Sequence, residues 1–418
     1  MTTPFRRPWI IHKFALIAVG ILLAVPAPSR AADAAADAVV DTSVPLDCPN
    51  LKLRGNLDNS RLVFERTGAG TVAFLGGSIT EREGYRPLVC AELQKLFPNT
   101  KFTFINAGVS STASITGAFR FQDEILSHGP IDLLFVEFAV NDDQDAHYSR
   151  AECIRGMEGI VRHLLTANPN ADIVGTYFVN ETMLKTFAAG KDPLSSSSHE
   201  AVFEAYGLPS VQLNREISDR IKAGTLTWLQ YGGTHPGPIG NQIGANMIEQ
   251  LLHKAWAQPL AADAVAKPHV LPEPLDPNSY ANGHFIPLDQ AQIVSGWTVE
   301  VPDWKNIKGG FRSMFAGRKC IVATEPGAEL KLPFDGKAIG IYLLAGPDAG
   351  ILEASIDGAP PQRYDLFVGY SAGLHYPRSI VFNGDLAPGP HQLVLRLTAD
   401  KNPKSQGTAA RILNFCGN

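Results

Sequence analysis

Four short segments of this chain carry residue types suited to acyl transfer. They are Gly76-Gly77-Ser78-Ile79-Thr80, Asn106-Ala107-Gly108, Ala139-Val140-Asn141-Asp142 and Gly233-Thr234-His235-Pro236. A serine hydroxyl is a weak nucleophile until a histidine takes its proton, so Ser78 and His235 form the natural reacting pair. The tetrahedral intermediate that follows needs donors aimed at its oxyanion. The backbone N–H groups of Ser78 and Gly108 and the side-chain amide of Asn141 can supply three. Glycines beside Ser78 permit an unusual turn and a close approach of backbone to substrate.

Such residues act together only if the fold gathers them. Short apolar runs at 71–75, 102–105, 133–138 and 173–178 read as buried strands. Helix-like stretches lie at 86–97 and 114–127, and a third, opened by the capping box Ser149-Arg150-Ala151-Glu152, runs to about residue 167. A long helix follows at 239–256, with Pro238 near its first turn. This alternation predicts right-handed crossovers and a parallel sheet covered on both faces. In such a sheet, active residues collect at the carboxyl ends of the strands. Ser78, Gly108 and Asn141 each follow a strand and His235 precedes the last helix, so all four fall on one edge.

Residues 258–278, rich in proline, alanine and aspartate, read as a linker. Beyond it the pattern is β, with alternation at 393–397 and a hairpin turn at Asp357-Gly358. An all-β sandwich over 279–418 is expected, a candidate carbohydrate-binding domain. Its aromatics Trp297, Trp304, Tyr370 and Tyr376, with Trp228 and Tyr231 near His235, suit sugar stacking or core packing. On this reading a chain ending near Pro268 keeps its activity on small esters.

The bulk numbers fit a soluble globular protein of two or three domains: 418 residues, 45% hydrophobic and 18% charged. A net charge of −5 without a basic stripe gives no support to a nucleic-acid partner. Residues 1–31 read as a signal peptide, with Arg6, Arg7 and Lys13 before an apolar run and Ser29-Arg30-Ala31 at the cleavage site. The apolar run is short for a membrane span, so the mature protein is expected to be periplasmic or secreted. Five cysteines leave at least one unpaired; Cys320 and Cys416 are the candidates to pair, while Cys90 and Cys153 read as buried thiols. No cysteine spacing suggests zinc. Asp142, Asp143, Asp145 and His147 read as an acidic solvated loop, and His199-Glu200 as a helix start. Neither metal nor cofactor is expected.

With these residues in place, the chain resembles the SGNH (GDSL-like) hydrolase superfamily, whose marks are Ser, Gly, Asn and His in that order. Ser78, Gly108, Asn141 and His235 match them over roughly residues 70–257. The resemblance implies a flavodoxin-like three-layer α/β/α domain, here over 46–257, and a serine esterase. It resembles in particular exported polysaccharide acetylesterases, which implies an acetylated polysaccharide or oligosaccharide as substrate. A glycan O-acetyltransferase and a non-catalytic glycan-binding protein are the alternatives. Gly77 replaces the commoner aspartate before the serine. Gly232 stands where such families usually have the aspartate that orients the histidine. Two solutions remain open: a backbone carbonyl, most simply that of Gly232, or a carboxylate from another loop, with Asp142, Asp143, Glu81 and Glu200 as candidates.

Overall fold

The computed structural model describes residues 39–418, so the signal-peptide segment 1–31 lies outside the described residues. Six strands form the first sheet: β1 (Leu51–Lys52), β2 (Ala69–Gly76), β3 (Lys101–Gly108), β4 (Leu133–Glu137), β5 (Asp172–Thr176) and β6 (Ser210–Val211). Their order is β1-β6-β5-β4-β2-β3; all neighbours are parallel except the β1–β6 pair. Counted without β1, the parallel strands run 2-1-3-4-5, the flavodoxin-like order, whose switch point lies between β2 and β4. Alternate residues explain the continuous apolar runs. Val72, Phe74, Leu133 and Phe135 enter one core, while Ala73, Leu75, Leu134 and Val136 enter the other.

The expected helices are present at Tyr85–Leu96, Ser114–Glu124, Arg150–Ala167 and Pro238–Ala255. The capping box at Ser149 and Glu152 closes in both directions. Among the described residues four further helices of eight residues or more were not foreseen: Asp58–Thr67, Glu181–Ala188, Leu194–Ala205 and Leu213–Lys222. His199 and Glu200 therefore sit mid-helix, not at a helix start. Serines at 195–198 mask the apolar period of that segment, yet Ser195 and Ser198 are buried and bond to backbone carbonyls.

The C-terminal region is an antiparallel β-sandwich. One sheet runs Tyr376–Asn383, Ile339–Ala345, Ala410–Gly417, Cys320–Ala323 and Thr298–Glu300, with His284–Ile286 also paired to Ala410–Gly417. The other runs Gln362–Asp365, Ile351–Ile356, Pro390–Leu397, Glu329–Asp335 and Gln292–Ser295. Leu330, Leu343, Leu352, Leu395 and Phe415 fill the space between them.

The five cysteines are all free thiols. Cys320 and Cys416 lie on adjacent strands, but the register pairs Ile321 with Ile412. Cys320 is thus opposite Leu413, about 10 Å along the strand from Cys416 at ~3.3 Å per residue, too far for a bridge.

Residues 40–418 form one compact unit. Phe119, Phe121 and Ile160 of the α/β layers share a core with Phe315, Tyr342, Leu344 and Cys416 of the sandwich. Arg155 ties the regions together, donating to Asp276 at 2.7 Å and to Asp385 at 2.6 Å. The segment 258–278 is fastened rather than free. Asn59 exchanges two 2.8 Å bonds with the Lys267 backbone, and His269 Nε2 meets Asp172 at 2.9 Å. A chain ending near Pro268 would expose one flank of the helices Ser114–Glu124 and Arg150–Ala167, so the structure does not support that expectation of independent activity.

Candidate active site

The carboxyl ends of β2 and β4 flank the topological switch point, and the site is built there. Ser78 opens a one-turn helix, Ser78–Glu81, directly after β2. Asn141 lies on a second short helix, Ala139–Gln144, after β4. A Cβ at Gly77 would fall 2.1 Å from Asn141 Oδ1. The glycine is what lets the two strand ends converge, which accounts for the missing aspartate at 77. At Gly108, the end of β3, a Cβ would fall 2.2 Å from the Glu81 nitrogen.

Ser78 Oγ and His235 Nε2 are 2.7 Å apart. The loop that carries His235 is held by Asn241, whose amide donates to the carbonyls of Pro236 at 2.7 Å and Gly237 at 3.0 Å. Asn141 is buried and donates one amide hydrogen to Asp145 at 2.6 Å. Its second amide hydrogen and the Ser78 N–H, which as the first of a helix has no acceptor in its own turn, are donors beside the serine. The Gly108 N–H, expected as a third donor, is bonded to Asn106 Oδ1 at 3.1 Å.

The second histidine nitrogen has neither of the expected partners. Among the described residues His235 Nδ1 makes no hydrogen bond to the Gly232 carbonyl or to any carboxylate. Gly232 has φ +103°, and a Cβ there would lie 2.0 Å from the Gly237 nitrogen. This turn therefore excludes an aspartate at 232 altogether. Asp142 is fully buried and engaged elsewhere. It accepts from the Ser114 N–H at 2.8 Å and hydroxyl at 2.6 Å, and pairs with His199 Nε2 at 2.8 Å. It is a structural anchor, not the histidine's orienter and not part of a solvated loop. Asp143 accepts from Asn180; Glu81 is bound to Ser110; Glu200 is shared by Arg54, Tyr177 and Ser210.

The charges that act on His235 are cations. Partial burial lowers its pKa, and Arg82 and Arg312 lower it further. The imidazole is thereby kept neutral, the form that can accept a proton. Beneath the serine loop, the Glu137 side chain is fully buried, with only the Gly77 N–H and the Thr80 hydroxyl beside it, and burial together with Asp142 pushes its carboxyl up to about 8.

Ser78 and His235 open into a chamber of about 230 Å³, and the sandwich builds part of its wall: Arg312, Tyr370, Leu374 and Tyr376. Tyr370 and Tyr376 stack at 5.1 Å with an interplanar angle of 12°. Arg312 donates to Ser111 Oγ, on a residue held at φ +74°. Tyr370 and Tyr376 were among the aromatics named from the sequence; Arg312 and Leu374 carried no local signal. The other aromatics pack elsewhere. Trp228 stacks on the buried Tyr231, Trp297 fills the sandwich core, and Trp304 lies against Phe311 and His375.

A serine–histidine pair lies at the switch point of a flavodoxin-like sheet with donors from two strand ends, the arrangement that the resemblance to SGNH-type hydrolases implies. Residues 74–243 match the model of the GDSL-like Lipase/Acylhydrolase family, and that span lies within the α/β layers. The whole two-part plan also recurs. A two-domain esterase (CEX) active on acetylated mannans superposes with a TM-score of 0.70 at 22% identity, over 88% of this chain and 96% of that one. Its complex with mannopentaose gives the same values. LAE5, an α/β hydrolase from the metagenome of Lake Arreo, Spain, aligns at 19% identity with a TM-score of 0.39, over 44% of this chain and 96% of that one. No curated protein matches the chain. Among the described residues no helix is long and apolar enough to cross a membrane.

Proposed function

We propose that this protein is an exported serine esterase that removes acetyl or similarly small acyl groups from a polysaccharide or oligosaccharide. The observation that carries this reading is the 2.7 Å Ser78–His235 contact at the floor of a chamber made by both regions of the chain. Ser78 Oγ attacks the ester carbonyl while His235 Nε2 takes its proton. The Ser78 N–H and the Asn141 amide stabilise the oxyanion. His235 then returns the proton to the departing sugar hydroxyl, leaving an acyl-enzyme. Water activated by the same histidine releases the acid.

With no carboxylate behind the imidazole, Ser78 and His235 act as a dyad. The likeness of the whole chain to an esterase active on acetylated mannans supports a glycan ester as substrate. The basic, then apolar, N-terminal segment supports export to the periplasm or medium. Removal of the Ser78 hydroxyl tests the proposal. Ser78→Ala should abolish acetate release from p-nitrophenyl acetate and from acetylated glycans, and a serine-reactive phosphonate should label Ser78 in the wild type. Substantial activity in the folded variant, or labelling at another residue, would overturn it.

A further inference from the structure

Beyond the catalytic chamber lies a smaller recess that shares Ser111, Asp145 and Tyr376 with it. The recess has about 40 Å³ of room, enough for one group little larger than a water molecule, whose share of liquid volume is about 30 Å³. It is too small for a sugar ring. Arg378 lines it. This guanidinium is partly buried, and among the described residues it makes neither an ion pair nor a hydrogen bond. Burial lowers its pKa, and Tyr148, Tyr376 and the Asp365 carboxylate offset that only in part.

Its surroundings repeat the pattern. Among the described residues Tyr376 Oη is buried with only the Ser111 hydroxyl beside it, and Arg312 Nε is buried without an acceptor. The exposed Arg82, which also lines the chamber, has no acidic partner among the described residues. The one carboxylate shared by recess and chamber, Asp145, accepts from Asn141 and Gln144, and burial raises its pKa. The site thus holds donors and positive charge that its own acceptors, Ser111 Oγ and Asp145, meet only in part.

A partly buried cation without a hydrogen-bonded partner is disfavoured, and a guanidinium is built to hold a carboxylate through two parallel bonds. We propose that Arg378, supported by Arg312 and Tyr376, forms a carboxylate subsite beside the catalytic serine, so that the ester substrate itself carries a carboxylate. This rests on the esterase reading above and narrows its substrate. The carboxylate has two sources, the sugar ring of a uronate or the free end of a dicarboxylic acyl group.

The test uses the wild-type protein and four esters. They are O-acetylated oligogalacturonate, the same oligomer with its carboxyls methyl-esterified, O-acetylated mannan oligosaccharide, and the same neutral oligosaccharide succinylated. The uronate source predicts kcat/KM on the free-acid oligomer at least about tenfold above its methyl ester, the discrimination expected of a charge-assisted bond, with the gap shrinking in high salt. The acyl source predicts succinate release favoured over acetate release by a similar factor. Equal kcat/KM across all four overturns the proposal. In Arg378→Met the preference should collapse toward one, and Arg378→Lys should keep part of it. A preference undiminished in a folded Arg378→Met overturns the assignment to this residue. If that variant does not fold, inhibition of the wild type decides: free galacturonate should compete where galactose does not, and equal inhibition overturns the subsite. Failure to cleave any ester refutes the esterase reading instead. The subsite is then judged by calorimetric binding of galacturonate against galactose, where absent or equal binding overturns it.

Discussion

The two walls of the chamber are built differently. The α/β wall comes from strand ends of one parallel sheet. Its candidate reacting groups lie in three short segments, and each is fixed locally: a one-turn helix under Ser78, a glycine turn before His235, an amide clasped by the Asp145 side chain. The sandwich wall comes from one side of a β-domain, and Arg312, Tyr370 and Tyr376 share no local motif. The first wall holds the groups that can make and break a bond, the second the groups that can choose what enters. Chemistry needs atoms placed within hydrogen-bond reach, which short motifs encode. Selection needs only shape and charge at the rim, which any exposed loop can supply.

This division can be broken or sharpened by experiment. The largest effect is expected from removing the second wall. A chain ending near Pro268 should be insoluble or unfolded, because Phe119, Phe121 and Ile160 lose their cover. Recovery of a folded, active fragment, seen by circular dichroism and p-nitrophenyl acetate turnover, would show that the walls are separable after all. Next comes Asn141→Ala. One lost oxyanion donor costs about 10²–10³ in kcat, with KM little changed. A pure KM effect would move Asn141 to the selecting side.

A smaller effect crosses between the walls. On the proposed mechanism neutral His235 is the base, and its pKa is lowered, so activity should rise with pH through a midpoint below the ordinary value of about 6.5 and then level. Arg312→Gln removes one of the cations that disfavour the imidazolium. The midpoint should therefore move up, and activity should fall on the acid side. A midpoint that stays or moves down would mean that the sandwich does not tune the base. The smallest effect concerns stability. Glu137 titrates from an ordinary value of 4.5 in the unfolded chain to about 8 in the fold. The native state holds the proton longer, so folding stability should decline as pH rises from about 4.5 to about 8. Glu137→Gln should flatten that decline in urea titrations at several pH values.

Much of the first wall was legible because its period and its motifs coincide. Apolar runs at 71–75 and 133–138 are buried on both faces, and the residues after them sit where strands end. The helix Leu194–Ala205 was illegible because its buried positions are serines that bond to backbone, so no apolar period appears. Asp142 read as solvated because a run of acidic residues usually is; its contacts with Ser114 and His199 are set by helices distant in sequence. Gly232 told only that an aspartate was missing. That the backbone there forbids any side chain is a matter of φ and of the neighbouring Gly237, which no composition shows. Arg378 was silent for the same reason: an arginine announces its charge, not the lack of a partner.

The strand Ala410–Gly417 lies in the middle of its sheet, between Ile339–Ala345 and Cys320–Ala323. It leaves the ribosome after every other strand of that sheet. The sheet beside the chamber cannot close until this strand inserts, so a chain cut just before 410 should lose the second wall as a whole, because the missing piece is a central plank and not an edge.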